Sequence, residues 1–333
     1  MSPTSKRLAR AAVALVALGA LAYVGRGYFS DVGRLRSTPP GYVVAILALY
    51  VVTRYVNAMV LRTGLRMLGH AVGLGEAFLL TMVHSYANLL IPRAGIGVPA
   101  TYLKVRRQVG LTEFASVQMF AMTLPQAAVA AGAGLGGLAL IHAGGGVADG
   151  RAALALAGVF AAGLASATGV AAGVGFVHPR GNGRLANRVR ALTGPWRRMR
   201  TDWRGLGTIC LVYAVVVLLR ASRLQLSFWA LGSDVSFAAA LVASALADLA
   251  FILSFTPSGL GFREGAIVVT AGLLGVSRDA CLAAALLDRI IWTAAVIVVA
   301  QYGFYRLIRP AGLPATPGAD AASTGSRPDH AAG

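Results

Sequence analysis

An all-α integral membrane protein is the fold class the sequence predicts, and three observations predict it. The chain is 57% hydrophobic and only 13% charged over 333 residues, with a mean hydropathy of +0.69, a balance that a water-soluble domain rarely reaches. Its apolar residues fall in runs as long as a bilayer requires. Two of those runs are interrupted by similar breakers, "LIPRAGIGVPA" at 90–100 and "FTPSGLGFREG" at 255–265.

A helix needs about 20 residues to cross the hydrocarbon core. Eight apolar segments are available, at 9–24, 41–61, 77–91, 114–142, 152–177, 207–231, 237–256 and 280–308. The first follows a basic start and ends near Ala20-Leu21-Ala22, as a cleaved signal peptide would. Because everything after it is also membrane-embedded, it reads as an uncleaved helix. Cys210 and Cys281 both fall inside apolar segments, so no disulfide framework is implied. Residues 1–310 form one polytopic domain, and the Ala-, Gly-, Pro- and Ser-rich tail at 311–333 is expected to be disordered.

Charge orients the spans. The segment "HPRGNGRLANRVRALTGPWRRMRTDWRG" at 178–205 carries eight arginines against Asp202 and reads as a basic cytoplasmic loop at about 178–206. The turns at 143–151 and 232–236 carry almost no positive charge and are expected outside. Lys6, Arg7 and Arg10 place the amino terminus in the cytoplasm, and Arg306 and Arg309 place the carboxyl end there too. The loop with Arg26, Arg34 and Arg36 fits the outside less well. The net charge of +18 does not indicate nucleic acid, because the basic residues lie between apolar runs rather than interleaved with aromatics on a soluble face. Anionic lipid headgroups are the other candidate partner for the basic segment.

The two breakers repeat one pattern. Pro92-Arg93-Ala94-Gly95-Ile96-Gly97 matches Pro257-Ser258-Gly259-Leu260-Gly261, and Gly110-Leu111-Thr112 and Gly275-Val276-Ser277 follow at similar spacing. The short apolar arms beside each breaker predict re-entrant hairpins. Three crossings separate them, so the second hairpin enters from the opposite side and the halves form an inverted repeat, a recurrent transporter plan. Irregular backbone at membrane depth is tolerated only where protein or a watery cavity satisfies it. Half-helices starting near Gly97 and Gly261 aim free N–H groups at such a cavity, with Pro99 suited to the first turn of one of them. A simple kink between ordinary spans is the alternative.

Deep in the apolar segments lie Arg54 and Asn57, Arg220 and Arg223, Asp248, and Asp288 with Arg289; the breakers add Arg93, Arg263 and Glu264. Six arginines thus face three acids. Each buried charge costs at least about 2.5 kcal/mol on insertion scales unless paired, so the surplus calls for an anionic partner. The guanidinium fork suits phosphate. Structural pairing and snorkelling are the alternatives for any single arginine, and for Glu264 the alternative is stabilising its own half-helix N-terminus.

The run "DLAFILSFTPSGLGFREGAIVVTAGLLGVS" resembles the signature of the lysylphosphatidylglycerol synthase transmembrane-domain family, also called the flippase-like domain family, and "NLLIPRAGIGVPATYLKVRRQVGLT" is similar to that family's first motif. The resemblance extends over roughly residues 10–308. It implies a membrane domain with paired re-entrant elements that, in the best-known relatives, moves aminoacylated phosphatidylglycerol across the cytoplasmic membrane; other relatives occur in pathways that use polyprenyl- or dolichol-linked sugars. Pro257, Gly259, Gly261, Arg263 and Glu264 match the second motif, and Pro92, Gly95 and Gly97 the first. Val98-Pro99 departs from the acid that commonly follows the first motif's glycine, as does "QMFAMTLPQA" from the usual charged set. The soluble synthase domain of full-length members has no counterpart after residue 310.

The expected function is therefore a lipid flippase or headgroup transporter for an anionic or aminoacylated phospholipid or a polyprenyl-phosphate-linked lipid, in the cell membrane. Candidate substrate-binding residues are Arg54, Arg93, Gly95, Gly97, Arg220, Arg223, Asp248, Pro257, Ser258, Gly259, Gly261, Arg263, Glu264 and Arg289. A non-catalytic protein partner in an envelope or glycolipid pathway is one alternative, and an embedded lipid-linked transferase the other. No catalytic residue is assigned: His70, His84, His142, His178 and His330 show no metal spacing, and His84, the one at membrane depth, reads as a satisfied structural histidine. No cofactor or metal is expected.

Overall fold

The computed structural model describes residues 38–90, 94–142, 183–252, 261–271 and 275–308. The apolar segments at 9–24 and 152–177, the tail, and Pro92, Arg93, Pro257, Ser258 and Gly259 lie outside the described residues. Among those described, all regular structure is helical: α1 Pro40–Met67, α2 Leu74–Leu90, a 3-10 turn Ala94–Ile96, α3 Gly97–Arg107, α4 Leu111–His142, α5 Arg184–Thr201, α6 Trp203–Ala230, α7 Phe237–Ile252, α8 Phe262–Val269 and α9 Arg278–Ile308. Four of these, α1, α4, α6 and α9, are long and apolar enough to cross a membrane, and α7 is a shorter apolar helix.

Two series of helices match in order and length. The first runs α1, α2, breaker, α3, α4 with 28, 17, 11 and 32 residues in its helices. The second runs α6, α7, breaker, α8, α9 with 28, 16, 8 and 31. Their packing corresponds as well. The leading helices α1 and α6 pack on each other more extensively than any other pair, and each series lays its second helix against the other's last, α2 on α9 and α7 on α4.

The punctuation of the two series explains the match. Both leading helices end at Leu-Gly, with Gly69 at φ 90° and Gly232 at φ 76°. In each case the glycine and the residue after it donate back to the last turn, Gly69 to Arg66 and His70 to Leu65, Gly232 to Trp229 and Ser233 to Phe228. That is the Schellman closure, which requires a left-handed residue where glycine carries no Cβ penalty. Pro40 begins α1 where a missing N–H costs nothing. Small residues set the approach between series: a Cβ at Gly136 of α4 would lie 2.9 Å from the Ala238 carbonyl oxygen of α7.

The basic segment between the apolar runs contains α5, an 18-residue helix with Pro195 inside it. Its described part is amphipathic: Trp196 and Met199 are buried, with Trp196 set edge-on to Phe120 of α4 at 5.0 Å, while Arg197, Arg198 and Arg200 are exposed. The density of arginine hides the apolar face, but a helix buries that face whatever the charge on the other side.

Candidate anion site

The first breaker makes a hairpin. At its base Arg107, the last residue of α3, reaches Glu76 in the first turn of α2 with two bonds, Nε to Oε1 at 3.0 Å and Nη2 to Oε2 at 2.5 Å. Burial, and then the Glu76 carboxylate, push the neighbouring Tyr102 phenol above its ordinary range. At the tip the Gly95 amide donates to Asn88 Oδ1 at 2.8 Å, and Asn88 Nδ2 meets His84 Nε2 at 3.0 Å. Only glycine fits there: an added Cβ would run into the His84 carbonyl oxygen and the Asn88 side chain. Gly97 begins α3 with open space around it, and Pro99 sits in the first turn.

The second breaker is described from Gly261 onward. Gly261, at φ 84°, is the N-cap of α8, and its amide donates to Glu264 Oε2 at 2.8 Å. Glu264 Oε1 accepts from Arg289 Nη1 of α9 at 2.5 Å. Both oxygens of this buried carboxylate are engaged, so Glu264 positions α8 against α9 as well as sitting in the cluster.

Around that helix the deep charges converge. Asp288 of α9, 1% exposed, takes both Nε and Nη2 of Arg223 at 2.5 and 3.1 Å and also Nη2 of Arg263 at 3.1 Å. Arg220, one turn before Arg223 on α6, turns instead to Asp248 of α7, with Nη1 to Oδ2 at 2.6 Å. Arg54 completes the set from α1: its Nε donates to the Tyr50 hydroxyl at 2.8 Å. Two guanidinium groups approach the Tyr50 ring, with Arg54 Cζ 5.2 Å and Arg223 Cζ 5.5 Å from its centroid. Cation–π contact contributes about 2 kcal/mol where water is excluded. Arg289 lies over Trp292 at 5.5 Å as well as bonding Glu264.

Arg54, Arg220, Arg223, Asp248, Gly261, Arg263, Glu264 and Arg289 thus belong to one connected region, whereas Gly95 and Gly97 belong to the first hairpin. Arg54 links the two, since it is also the charged neighbour of His84. Asp288 is the residue the candidate set omits: in the sequence it is one deep acid among three, and here it is the hub. Tyr50 was also missed, and its signal is its place four residues before Arg54 on one helix face. His84 is only half satisfied. Nδ1 is buried without a partner, as is Arg263 Nε, and buried nitrogens in this condition call for an acceptor or a water. Among the described residues no grouping of three or more His, Cys, Asp or Glu is arranged to hold a metal.

Comparison with known proteins identifies a membrane-protein family. The family model described as Lysylphosphatidylglycerol synthase TM region matches residues 8–300. The chain is also similar to a UPF0104 membrane protein of Methanothermobacter thermautotrophicus, 32% identical over 108 residues. That match covers 32% of this chain, and the chain spans about a third of the length of that curated relative. No solved structure matches.

Proposed function

The chain belongs to the lysylphosphatidylglycerol synthase transmembrane-region family, and from that premise we propose that it is a lipid-headgroup transporter whose site is the arginine cluster between α1, α6, α8 and α9. The observation that carries the reading is the charge balance among the packed helices: among the described residues Asp248, Glu264 and Asp288 each have an arginine partner, and arginine remains in excess. A protein interior does not hold such an excess cheaply. An anionic headgroup relieves it, and the guanidinium donors supply bidentate recognition. Aminoacylated, anionic and polyprenyl-phosphate lipids are the classes to compare.

In this reading both breakers are re-entrant hairpins related by inversion, meeting near the midplane of the cell membrane. Both termini are cytoplasmic, as is the basic α5. The matched helix series and the hairpin closed by Glu76 and Arg107 support the plan, because alternating access in inverted-repeat transporters is a rocking of one half against the other around a fixed site.

The test is lipid translocation in proteoliposomes containing wild type, Glu264→Gln or Arg220→Gln. Movement of one lipid class by wild type, reduced at least tenfold in Arg220→Gln, supports the reading. Correctly inserted, stable wild-type protein that moves no class of lipid overturns it.

A further inference from the structure

We infer that the cluster selects a dianionic phosphate monoester group over the singly charged phosphodiester and over aminoacylated headgroups. This deepens the transporter reading and shares its site.

Charge and donor count carry it. Arg54, Arg220, Arg223, Arg263 and Arg289 form one connected region through the Tyr50 ring, the shared acid Asp288 and neighbouring positions on α6, α8 and α9. Within it stand three carboxylates, Asp248, Glu264 and Asp288. Among the described residues, five positive groups less three negative ones leave +2. In a medium of low effective dielectric this residual charge is what a ligand must match. A phosphate monoester carries about −1.5 to −2 at pH 7 and three strong acceptor oxygens. A phosphodiester headgroup has one charge and leaves the region positive. A lysylated phosphatidylglycerol carries net positive charge and worsens the balance.

The acceptors present are largely taken. Asp288 is shared between two guanidinium groups, and both oxygens of Glu264 are bonded. Arg263 Nε is a buried donor without a partner. A group that only accepts, with three oxygens in a fan, supplies what the cluster lacks. Inorganic phosphate and a lipid phosphate share this chemistry.

The experiment is equilibrium binding to the full chain in nanodiscs, with phosphatidic acid, phosphatidylglycerol and lysylphosphatidylglycerol of identical acyl chains, polyprenyl phosphate, and inorganic phosphate as competitor. Phosphatidic acid and polyprenyl phosphate are expected to bind at least tenfold tighter than phosphatidylglycerol, with the lysylated lipid weakest. Competition by millimolar inorganic phosphate assigns the site to phosphate itself, and preference without competition assigns it to a lipid monoester; both support the inference. Equal or tighter binding of phosphatidylglycerol or its lysyl ester overturns it. The comparison needs no variant, but Arg54→Gln, which breaks no ion pair among the described residues, should reduce the preference severalfold. Monoester preference without lipid movement would sink the transporter reading alone, and movement of phosphatidylglycerol without monoester preference would sink this inference alone.

Discussion

Arg223 of α6 grips both carboxylate oxygens of Asp288 on α9, and the same carboxylate also accepts from Arg263 of α8. One buried acid therefore ties three helices together, one of which, α8, begins at the second breaker. Removing one partner of a buried pair typically costs about 3–5 kcal/mol because the other charge is stranded. Asp288→Asn strands two arginines, whereas Arg223→Gln leaves Asp288 with Arg263. Asp288→Asn should accordingly lower the melting temperature in detergent more than Arg223→Gln. Equal losses would count against the hub.

At the tip of the first hairpin, Gly95→Ala should destabilise the protein by about 1–3 kcal/mol, the usual range for overpacking, because the new methyl meets backbone and Asn88. Gly97→Ala, two residues on in open space, is the control and should be nearly neutral. Thermal unfolding of the two variants side by side checks the difference.

Gly261→Ala places a Cβ at φ 84° and ψ −38°, a backbone region sparsely populated by other residues, and should cost about 1–3 kcal/mol. The change also tilts the amide that Glu264 accepts, so its effect should be non-additive with that of Glu264→Gln. A double-mutant cycle on melting free energies reads the coupling, and strict additivity would contradict a shared cap.

The base of the first hairpin is held by a pair whose Arg107 side chain is 45% exposed. Such pairs contribute no more than about 1 kcal/mol and are screened by salt. Glu76→Gln should lower stability slightly at low ionic strength and not at all at high. A large, salt-independent loss would mean the pair closes the hairpin against a drier environment than its exposure indicates.

Inversion of the two series predicts opposite sidedness. With Cys210 and Cys281 replaced, a cysteine at the exposed Gln108 should react with an impermeant thiol reagent from the cytoplasmic face, and one at the exposed Asp234 from the outer face. Labelling of both from one face would make the series parallel repeats.

What the sequence determined by itself is what depends on local chemistry. Long apolar runs became α1, α4, α6 and α9 within a few residues of their predicted ends, because an unbroken apolar stretch has one stable form in a bilayer. The glycines and prolines of the breakers marked where α3 and α8 begin. Helical spacing showed that Arg220 and Arg223 share a face. It did not show that they part company, one to Asp248 on α7 and the other to Asp288 on α9, since which acid meets which arginine depends on how α6, α7 and α9 cross. The helix within the arginine-dense segment was not legible, because its apolar anchors, Trp196 and Met199, find their partners Phe120 and Gly64 only on other elements. The surplus of positive charge was written in the sequence, since charge is counted without coordinates. Its concentration around Asp288 was decided only by the tertiary structure, because pairing in a low-dielectric interior requires contact, and contact between residues 223, 263 and 288 exists only once the helices have packed.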